Sequence, residues 1–155
     1  MIEVNDEINA IAADLLERYK NEIKSSGNNA SGNLEDTASY RCTFDGRYFE
    51  ITFRLADYWK WLENGTKPHF PPIEPIENWI TVKHIVPRTI GKRVPTTKQL
   101  AFLIAREISI NGTKPTKLLQ KTIDSSADLI NKLVDIITSQ MEQEIIEDTD
   151  NSMNI

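Results

Sequence analysis

A chain of 155 residues with 39% hydrophobic and 26% charged side chains has the composition of a globular protein with one hydrophobic core. Its net charge of −5 argues against general binding to nucleic acid or to an anionic membrane. No apolar stretch approaches the roughly 20 residues that a membrane-spanning helix needs, so we expect no membrane association.

The first predicted element is an amphipathic helix, because apolar residues recur at spacings of three or four. They are Ile8, Ile11, Leu15, Tyr19 and Ile23. Asn5 or Asp6 is the expected N-cap, since a side-chain oxygen there can accept a free backbone N–H. Residues 25–33, rich in Ser, Gly and Asn, predict a flexible loop.

A β-hairpin follows, because apolar and polar residues alternate in two neighbouring segments. The apolar positions are Tyr40, Cys42 and Phe44 on one strand and Phe49, Ile51, Phe53 and Leu55 on the other. Asp45-Gly46 favours a two-residue type I′ turn, which pairs Phe44 with Arg47 and Cys42 with Phe49. That register places both apolar sets on one face of the hairpin.

Short helices and proline-rich connections are expected next. Asp57 is a candidate cap for a helix over residues 58–63, which Asn64-Gly65 ends with glycine in a left-handed conformation. Each proline disfavours helix in the residue before it, so residues 67–72 are extended. Pro75 suits the first turn of another short helix.

A further helix is predicted to begin with Thr96 or Thr97 as its cap and to end at Asn111-Gly112. The residues expected on its buried side are Leu100, Leu103, Ile104 and Ile108. The connection that precedes it is basic, with Arg88, Lys92 and Arg93.

The last predicted helix starts near Thr116 and carries a long apolar stripe that suits packing along another helix or the sheet. Its members are Leu119, Ile123, Ile130, Val134, Ile137, Met141 and Ile145, with Ala127 filling the gap. Acidic residues dominate its end. We therefore predict a single α+β domain over residues 1–147 and a disordered acidic tail over residues 148–155.

The predicted fold is α+β: an N-terminal helix, an antiparallel hairpin in a small sheet, several short helices and a long C-terminal helix. One pentapeptide occurs twice, as residues 64–68 and 111–115, Asn-Gly-Thr-Lys-Pro in both cases. Each copy follows a predicted helix, so both can be the same local helix stop. Alternatively, both loops lie on one surface and present Lys67 and Lys114 to a partner.

Around these loops the sequence resembles the tail-component proteins of long-tailed bacteriophages, which complete the tail or join it to the head. The similar segments appear in the same order over roughly residues 57–123. They are residues 61–69 (Trp-Leu-Glu-Asn-Gly-Thr-Lys-Pro-His), 71–79 (with Pro-Pro and a following Ile and Trp), 101–108 (Ala-Phe-Leu-Ile-Ala-Arg-Glu-Ile) and 113–116 (Thr-Lys-Pro-Thr).

The resemblance implies a structural virion protein without catalytic activity or cofactor. Such a subunit assembles with copies of itself into a ring between the portal, or connector, and the tail proteins of the same phage. DNA crosses the pore of the ring without sequence-specific binding. The expected location is the virion, at the head–tail junction, after assembly in the cytoplasm of the bacterial host.

Residues that could support catalysis or bind metal are few. The two histidines, His69 and His84, occur in no metal-ligand spacing, and the sequence has no phosphate-binding loop or nucleophile elbow. Cys42 cannot form a disulfide within the chain and is predicted to be a small core residue. The amino-terminal residues lack the pattern of a signal peptide. An enzyme is therefore not expected; a hydrolase would need His69 or Cys42 beside a carboxylate.

Two groups of residues are candidates for contact with partners. The candidate subunit or partner interface comprises Tyr58, Trp59, Trp61, Lys67, His69, Phe70 and Lys114. Tyr58, Trp59 and Trp61 cannot all point into one core at helical spacing, so at least one is expected at the surface. The basic loop of Arg88, Lys92 and Arg93 could face DNA or an acidic ring; the alternative function is a small nucleic-acid-binding module that uses this loop.

Overall fold

The structure, a computed structural model, describes residues 4–27, 33–45, 48–89 and 91–153, and it confirms the predicted α+β class. The elements are α1 (Asp6–Ser25), α2 (Asn33–Asp36), β1 (Ser39–Phe44), β2 (Phe49–Arg54), α3 (Trp59–Asn64), α4 (Ile73–Val82), α5 (Thr97–Asn111), α6 (Leu118–Asp124) and α7 (Ala127–Met153). Within the described ranges, none of these helices has the length and apolarity to cross a membrane.

The chain divides into two compact units. Unit 1 comprises residues 1–22, 37–55 and 119–155, and unit 2 comprises residues 23–36 and 56–118. The sequence predicts one domain over residues 1–147. The predicted flexible loop at 25–33 falls mainly outside the described residues, between the end of α1 and the start of α2.

Unit 1 is built on α1, which forms where the apolar spacing predicts it. The side-chain oxygen of Asn5 accepts the backbone N–H of Ile8 at 2.9 Å, so Asn5 is the N-cap. The buried residues of α1 in this unit are Ile8, Ile11, Ala12, Leu16 and Tyr19. The helix therefore buries one face and leaves charged residues on the other.

The hairpin of unit 1 is present, but its predicted register is wrong by two residues. Cys42 pairs with Ile51, and Phe44 pairs with Phe49, so four residues connect the strands. The backbone N–H of Tyr48 donates to the side chain of Asp45 at 2.7 Å; the predicted turn residues 46 and 47 lie outside the described ranges. A shift of two residues keeps every side chain on its face, so the alternation of half-buried and exposed positions is as predicted.

In the part of the chain that the structure describes, the sheet consists of these two strands. The apolar side of β2 and the residue after it face helices of the same unit. Phe53 and Leu55 line a cavity of about 190 Å³ together with Leu15 of α1, Leu119 of α6 and Ile130 of α7. The hairpin thus covers the helices of unit 1 with its apolar face.

The predicted long C-terminal helix is present as α7, but its predicted start near Thr116 is wrong, because α6 and α7 are separate helices. The break falls at Ser125 and Ser126, and Ser126 is fully buried. Arg18 of α1 forms hydrogen bonds with Ser125 in this break and with Asp128 after it. Its guanidinium donates to the carbonyl oxygen of Ser125 at 3.2 Å and to both carboxylate oxygens of Asp128 at 2.8 and 2.7 Å. The three interactions fix the first turn of α7 against α1.

Much of the long apolar stripe of the C-terminal region is exposed, contrary to the prediction that it packs along another element. Val134 is 54% exposed, Met141 51% and Ile145 65%. The structure describes residues 148–153, part of the predicted disordered tail, as the last turns of α7, while residues 154 and 155 lie outside the described ranges. The second half of α7 therefore presents aliphatic side chains to solvent.

Unit 2 contains the short helices α3 and α4 and the longer α5. The predicted cap of α3, Asp57, is wrong, because no side chain accepts a backbone N–H at the start of this helix. The backbone N–H of Trp59 instead donates to the carbonyl oxygen of Ala56 at 3.0 Å. α5 begins with Thr96 as its cap, in a reciprocal pair of hydrogen bonds with Gln99. The buried residue of α4 is Ile80.

The residues predicted on the buried side of α5 are only partly buried. Leu100, Ile104 and Ile108 are half-buried. Ala101 and Ala105 are fully buried, whereas Leu103 is 40% exposed and Phe102 is 48% exposed. α4 and α5 pack against each other. Two alanines four residues apart lie on one face of α5 and leave little bulk there. The prediction is therefore wrong at Leu103, and the two alanines are the most deeply buried residues of the helix.

Candidate interaction surface

The two Gly-Thr-Lys-Pro loops of unit 2 pair with each other. Thr66 and Thr113 form an antiparallel β-bridge in which each backbone N–H donates to the other residue's carbonyl oxygen, at 3.1 and 3.2 Å. The two threonine hydroxyl oxygens lie 3.0 Å apart, and the Thr66 hydroxyl also accepts the Thr113 N–H at 3.1 Å. The repeat is thus more than a shared helix stop, because its two copies hold each other on one surface.

Glycine is required in both loops. Gly65 and Gly112 follow α3 and α5 with nearly the same backbone angles, φ 69° and ψ −174° in one and φ 69° and ψ −163° in the other. The predicted positive φ is confirmed, but the extended ψ places both in a region that glycine alone adopts readily. A Cβ on Gly65 would collide with the carbonyl oxygen of Thr113, and one on Gly112 with that of Thr66.

Further hydrogen bonds fasten the second loop to α3. The backbone N–H and the hydroxyl of Thr116 both donate to the carbonyl oxygen of Leu62, at 3.0 and 2.6 Å. The backbone N–H of Lys117 donates to the carbonyl oxygen of Glu63 at 3.2 Å. The two loops and the end of α3 therefore form one interlocked structure, which we call the paired-loop surface (residues 61–70 and 112–117).

Several predicted interface residues meet on the paired-loop surface. Trp61 is 63% exposed, and Lys67, His69 and Lys114 are exposed as well. Trp61, His69 and Lys114 line one hollow of about 360 Å³; Trp61, Lys67 and His69 line an adjoining one of about 590 Å³. The ring nitrogen Nδ1 of His69 lies 2.9 Å from the carbonyl oxygen of Lys67, which orients the imidazole.

The other two aromatic residues of α3 are less available. Tyr58 and Trp59 are half-buried, which leaves Trp61 as the exposed one of the three. Burial raises the pKa of the Tyr58 phenol, and a hydrogen bond with the backbone of Leu34 opposes that shift. Tyr58 still lines the hollow of Trp61 and Lys114, whereas Trp59 lines neither hollow.

Phe70 connects the paired-loop surface to a groove on α5. Its ring is 53% exposed and lies 5.9 Å from the ring of Phe102, tilted by 56°, which is a favourable aromatic geometry. Beyond Phe102 lies the α5 groove, with a volume of about 540 Å³. Its lining includes Ile73, Pro95, Phe102 and Leu103, with the cations Arg93 and Lys98.

The sequence did not single out Phe102, Lys98 or Ile73 as functional residues. The sequence pattern gave little indication of a surface role for Phe102, because it lies between the predicted buried positions of a helix and could not be distinguished from a core residue. Only the contact between Phe70 and Phe102 identifies the groove as an extension of the predicted interface.

The basic loop lies on the connection between α4 and α5 in unit 2. Arg88, Lys92 and Arg93 are all exposed, and Arg93 is the one that lines the α5 groove. Unit 2 has eleven Lys and Arg against seven Asp and Glu, a net charge of +4, whereas unit 1 has seven against sixteen, a net charge of −9. The overall acidity of the chain therefore conceals one basic unit.

The residues considered for catalysis belong to different units: Cys42 to unit 1, and His69 and His84 to unit 2. Cys42 lies half-buried on β1 of unit 1, where burial raises the pKa of its thiol. His69 belongs to the paired-loop surface of unit 2, and exposed His84 follows α4 with a positive φ of 50°. Among the described residues, no three His, Cys, Asp or Glu side chains are grouped as metal ligands.

Comparison of the chain with models of protein families, with curated proteins and with solved structures finds no match.

Proposed function

We propose that this chain is a structural protein of a tailed bacteriophage particle, a subunit that closes into a ring at the head–tail junction around the DNA channel. The observation that carries the proposal is the paired-loop surface. Residues 61–69 and 113–116, two of the segments in which the sequence resembles tail-component proteins, are the segments that hold each other there. Residues separated by 47 positions thus converge on one exposed surface.

The chemistry of the paired-loop surface suits association with protein. Large exposed aromatic residues such as Trp61 and Phe70 are the residue types that supply most binding energy in interfaces. Lys67 and Lys114 add positive charge for an acidic partner. The hydrogen bonds between the loops hold the backbone in place before binding, so association costs less conformational entropy.

A ring subunit needs two different complementary patches, because closed cyclic symmetry joins unlike surfaces. The paired-loop surface supplies part of one, and the portal and tail proteins of the same phage are the expected neighbours above and below. The net charge of −5 suits a pore through which DNA moves without adhering.

The proposal is tested by inactivating the gene in the phage or prophage that carries it and examining the lysate by electron microscopy. We expect separate filled heads and finished tails, and infectious particles when the wild-type chain is supplied from a plasmid. A plasmid copy with Trp61→Ala and Lys114→Glu should restore few particles, whereas Lys60→Glu, a change outside both hollows, should restore them fully. Intact particles without the protein would refute the proposal.

A nucleic-acid-binding module is the second candidate, favoured by the net charge of +4 on unit 2 and by the exposed basic loop. It predicts DNA binding that weakens steeply as salt increases. Replacing Lys92 and Arg93 with Ala should then lower the affinity for every DNA sequence alike. Fluorescence anisotropy with labelled duplex and single-stranded DNA at two salt concentrations decides this.

A further inference from the structure

The α5 groove is an apolar depression with positive charge beside it. Phe102 and Leu103 leave 48% and 40% of their surface exposed there, and Lys98 and Arg93 are exposed. Such a groove is suited to an amphipathic helix whose polar side is acidic.

The second half of α7 is an amphipathic helix with an acidic polar side. Met141 and Ile145 are more than half exposed, and at about 100° per residue they lie on one side of the helix, in line with exposed Val134 of the first half. Glu142 and Glu144 lie on either side of this apolar line. Residues 142–150 contain five Asp and Glu and no Lys or Arg.

We propose that the second half of α7 of one copy docks in the α5 groove of the next copy. Apolarity and charge agree: an acidic helix with an exposed apolar line meets an apolar groove with two cations. The opposite net charges of the units, −9 and +4, favour the same encounter. The inference rests on the proposed function, because it names the two complementary patches that a ring requires.

The interface joins unlike surfaces, so copies associate head to tail and can close into a ring. This gives a sharp test with two variants of the full chain. The groove variant carries Arg93→Glu and Lys98→Glu and keeps its own α7. The helix variant carries Glu142→Lys and Glu144→Lys and keeps its own groove.

Sedimentation velocity follows the association of each protein. Wild-type copies should associate as the concentration rises to about 1 mM, and each variant alone should associate about tenfold more weakly. An equimolar mixture of the two variants can form two kinds of junction. In one, the basic helix of the helix variant meets the acidic groove of the groove variant, so both charges are reversed. In the other, the native helix of the groove variant meets the native groove of the helix variant. We therefore expect the mixture to regain association, and a single chain with all four substitutions to associate like the wild type.

A matched control carries Lys60→Glu and Lys83→Glu, which change the charge of unit 2 equally but do not line the groove. It should associate like the wild type. Circular dichroism confirms that each variant is folded. If the control associates as weakly as the groove variant, or if the mixture stays as weak as its components, the specific docking is refuted.

A cross-link gives a second readout that needs no charge reversal. In a Cys42→Ser background, one preparation carries Lys98→Cys and the other Ile145→Cys. Oxidation of the mixture should give a dimer that contains one chain of each kind. A chain that carries both cysteines should give linked oligomers; a monomer with an internal disulfide would overturn the proposal.

The failure of this inference differs from the failure of the proposed function. Wild-type protein that stays monomeric throughout the concentration series overturns the docking of α7 in the groove, because the contact is then too weak to join copies. It leaves the head–tail phenotype of the inactivated gene unchanged. Conversely, the protein could associate head to tail while phage particles form normally without it. That result would support the docking of α7 and refute the proposed role in the virion.

Discussion

Alanine at Gly65 tests the paired-loop surface most sharply. Gly65 has φ 69° and ψ −174°, and a residue with a side chain in that region costs about 1–3 kcal/mol. Its Cβ would also collide with the carbonyl oxygen of Thr113. The two backbone hydrogen bonds between Thr66 and Thr113 must then lengthen or break, at about 0.5–1.5 kcal/mol each.

Together these effects predict that Gly65→Ala lowers the free energy of unfolding by about 2–6 kcal/mol. For a chain of this size, a loss of about 3 kcal/mol corresponds to a decrease in Tm of about 6–12 °C. Gly112→Ala should have a similar effect, because its Cβ meets the carbonyl oxygen of Thr66 in the same way. Urea unfolding followed by circular dichroism and by Trp fluorescence measures both.

Gly91→Ala is the matched control. Gly91 has a positive φ of 64°, close to that of Gly65, but the space around its Cβ position is open among the described residues. It should therefore lose only about 1–2 kcal/mol, from the left-handed backbone alone. If Gly65→Ala and Gly112→Ala are no more destabilising than Gly91→Ala, the close pairing of the two loops is wrong.

Three further predictions concern other parts of the chain. Thr96→Ala removes the capping hydroxyl of α5 and should cost about 1 kcal/mol in urea unfolding, whereas the same change at Thr97 should cost a few tenths at most; equal losses would contradict the cap. The hydrogen bond from Arg18 lowers the pKa of Asp128 below its usual 3.8, so ionised Asp128 stabilises the fold above that pH. Asp128→Asn should therefore destabilise the protein at neutral pH, and the difference from wild type should vanish in acid as the pH falls through the lowered pKa; a difference that persists there would refute the ion pair. Burial raises the pKa of the Cys42 thiol, so its alkylation by iodoacetamide should require a higher pH in the folded protein than in urea, and identical pH profiles would place it at the surface.

Local patterns in the sequence were sufficient for most single elements. The cap of α1 and the reciprocal cap of α5 depend on residues three positions apart, so the sequence narrowed each cap to two neighbouring residues, among them Asn5 and Thr96. The register of the hairpin, in contrast, could not be read from the sequence. A two-residue and a four-residue connection leave the same residues on the apolar face, and Cys42 therefore pairs with Ile51 instead of Phe49 without changing the pattern.

Features that depend on distant residues could not be predicted. The bridge between Thr66 and Thr113 joins two helix ends that are remote in the chain, and each end alone is an ordinary stop signal. Likewise, the apolar stripe continues through Ser125 and Ser126, so its periodicity gave no sign of the break that Arg18 holds. The repeat allowed a common surface for the two loops as one of two interpretations, and the fold was needed to decide between them.

The central claim is that copies of this chain close into a ring. The most direct measurement is electron microscopy of the purified protein, alone and with the portal and tail proteins of the same phage, combined with mass photometry over a concentration series. We predict closed rings of uniform diameter and one dominant oligomeric mass, either alone or on the added partner. A protein that remains monomeric in both conditions would contradict the claim.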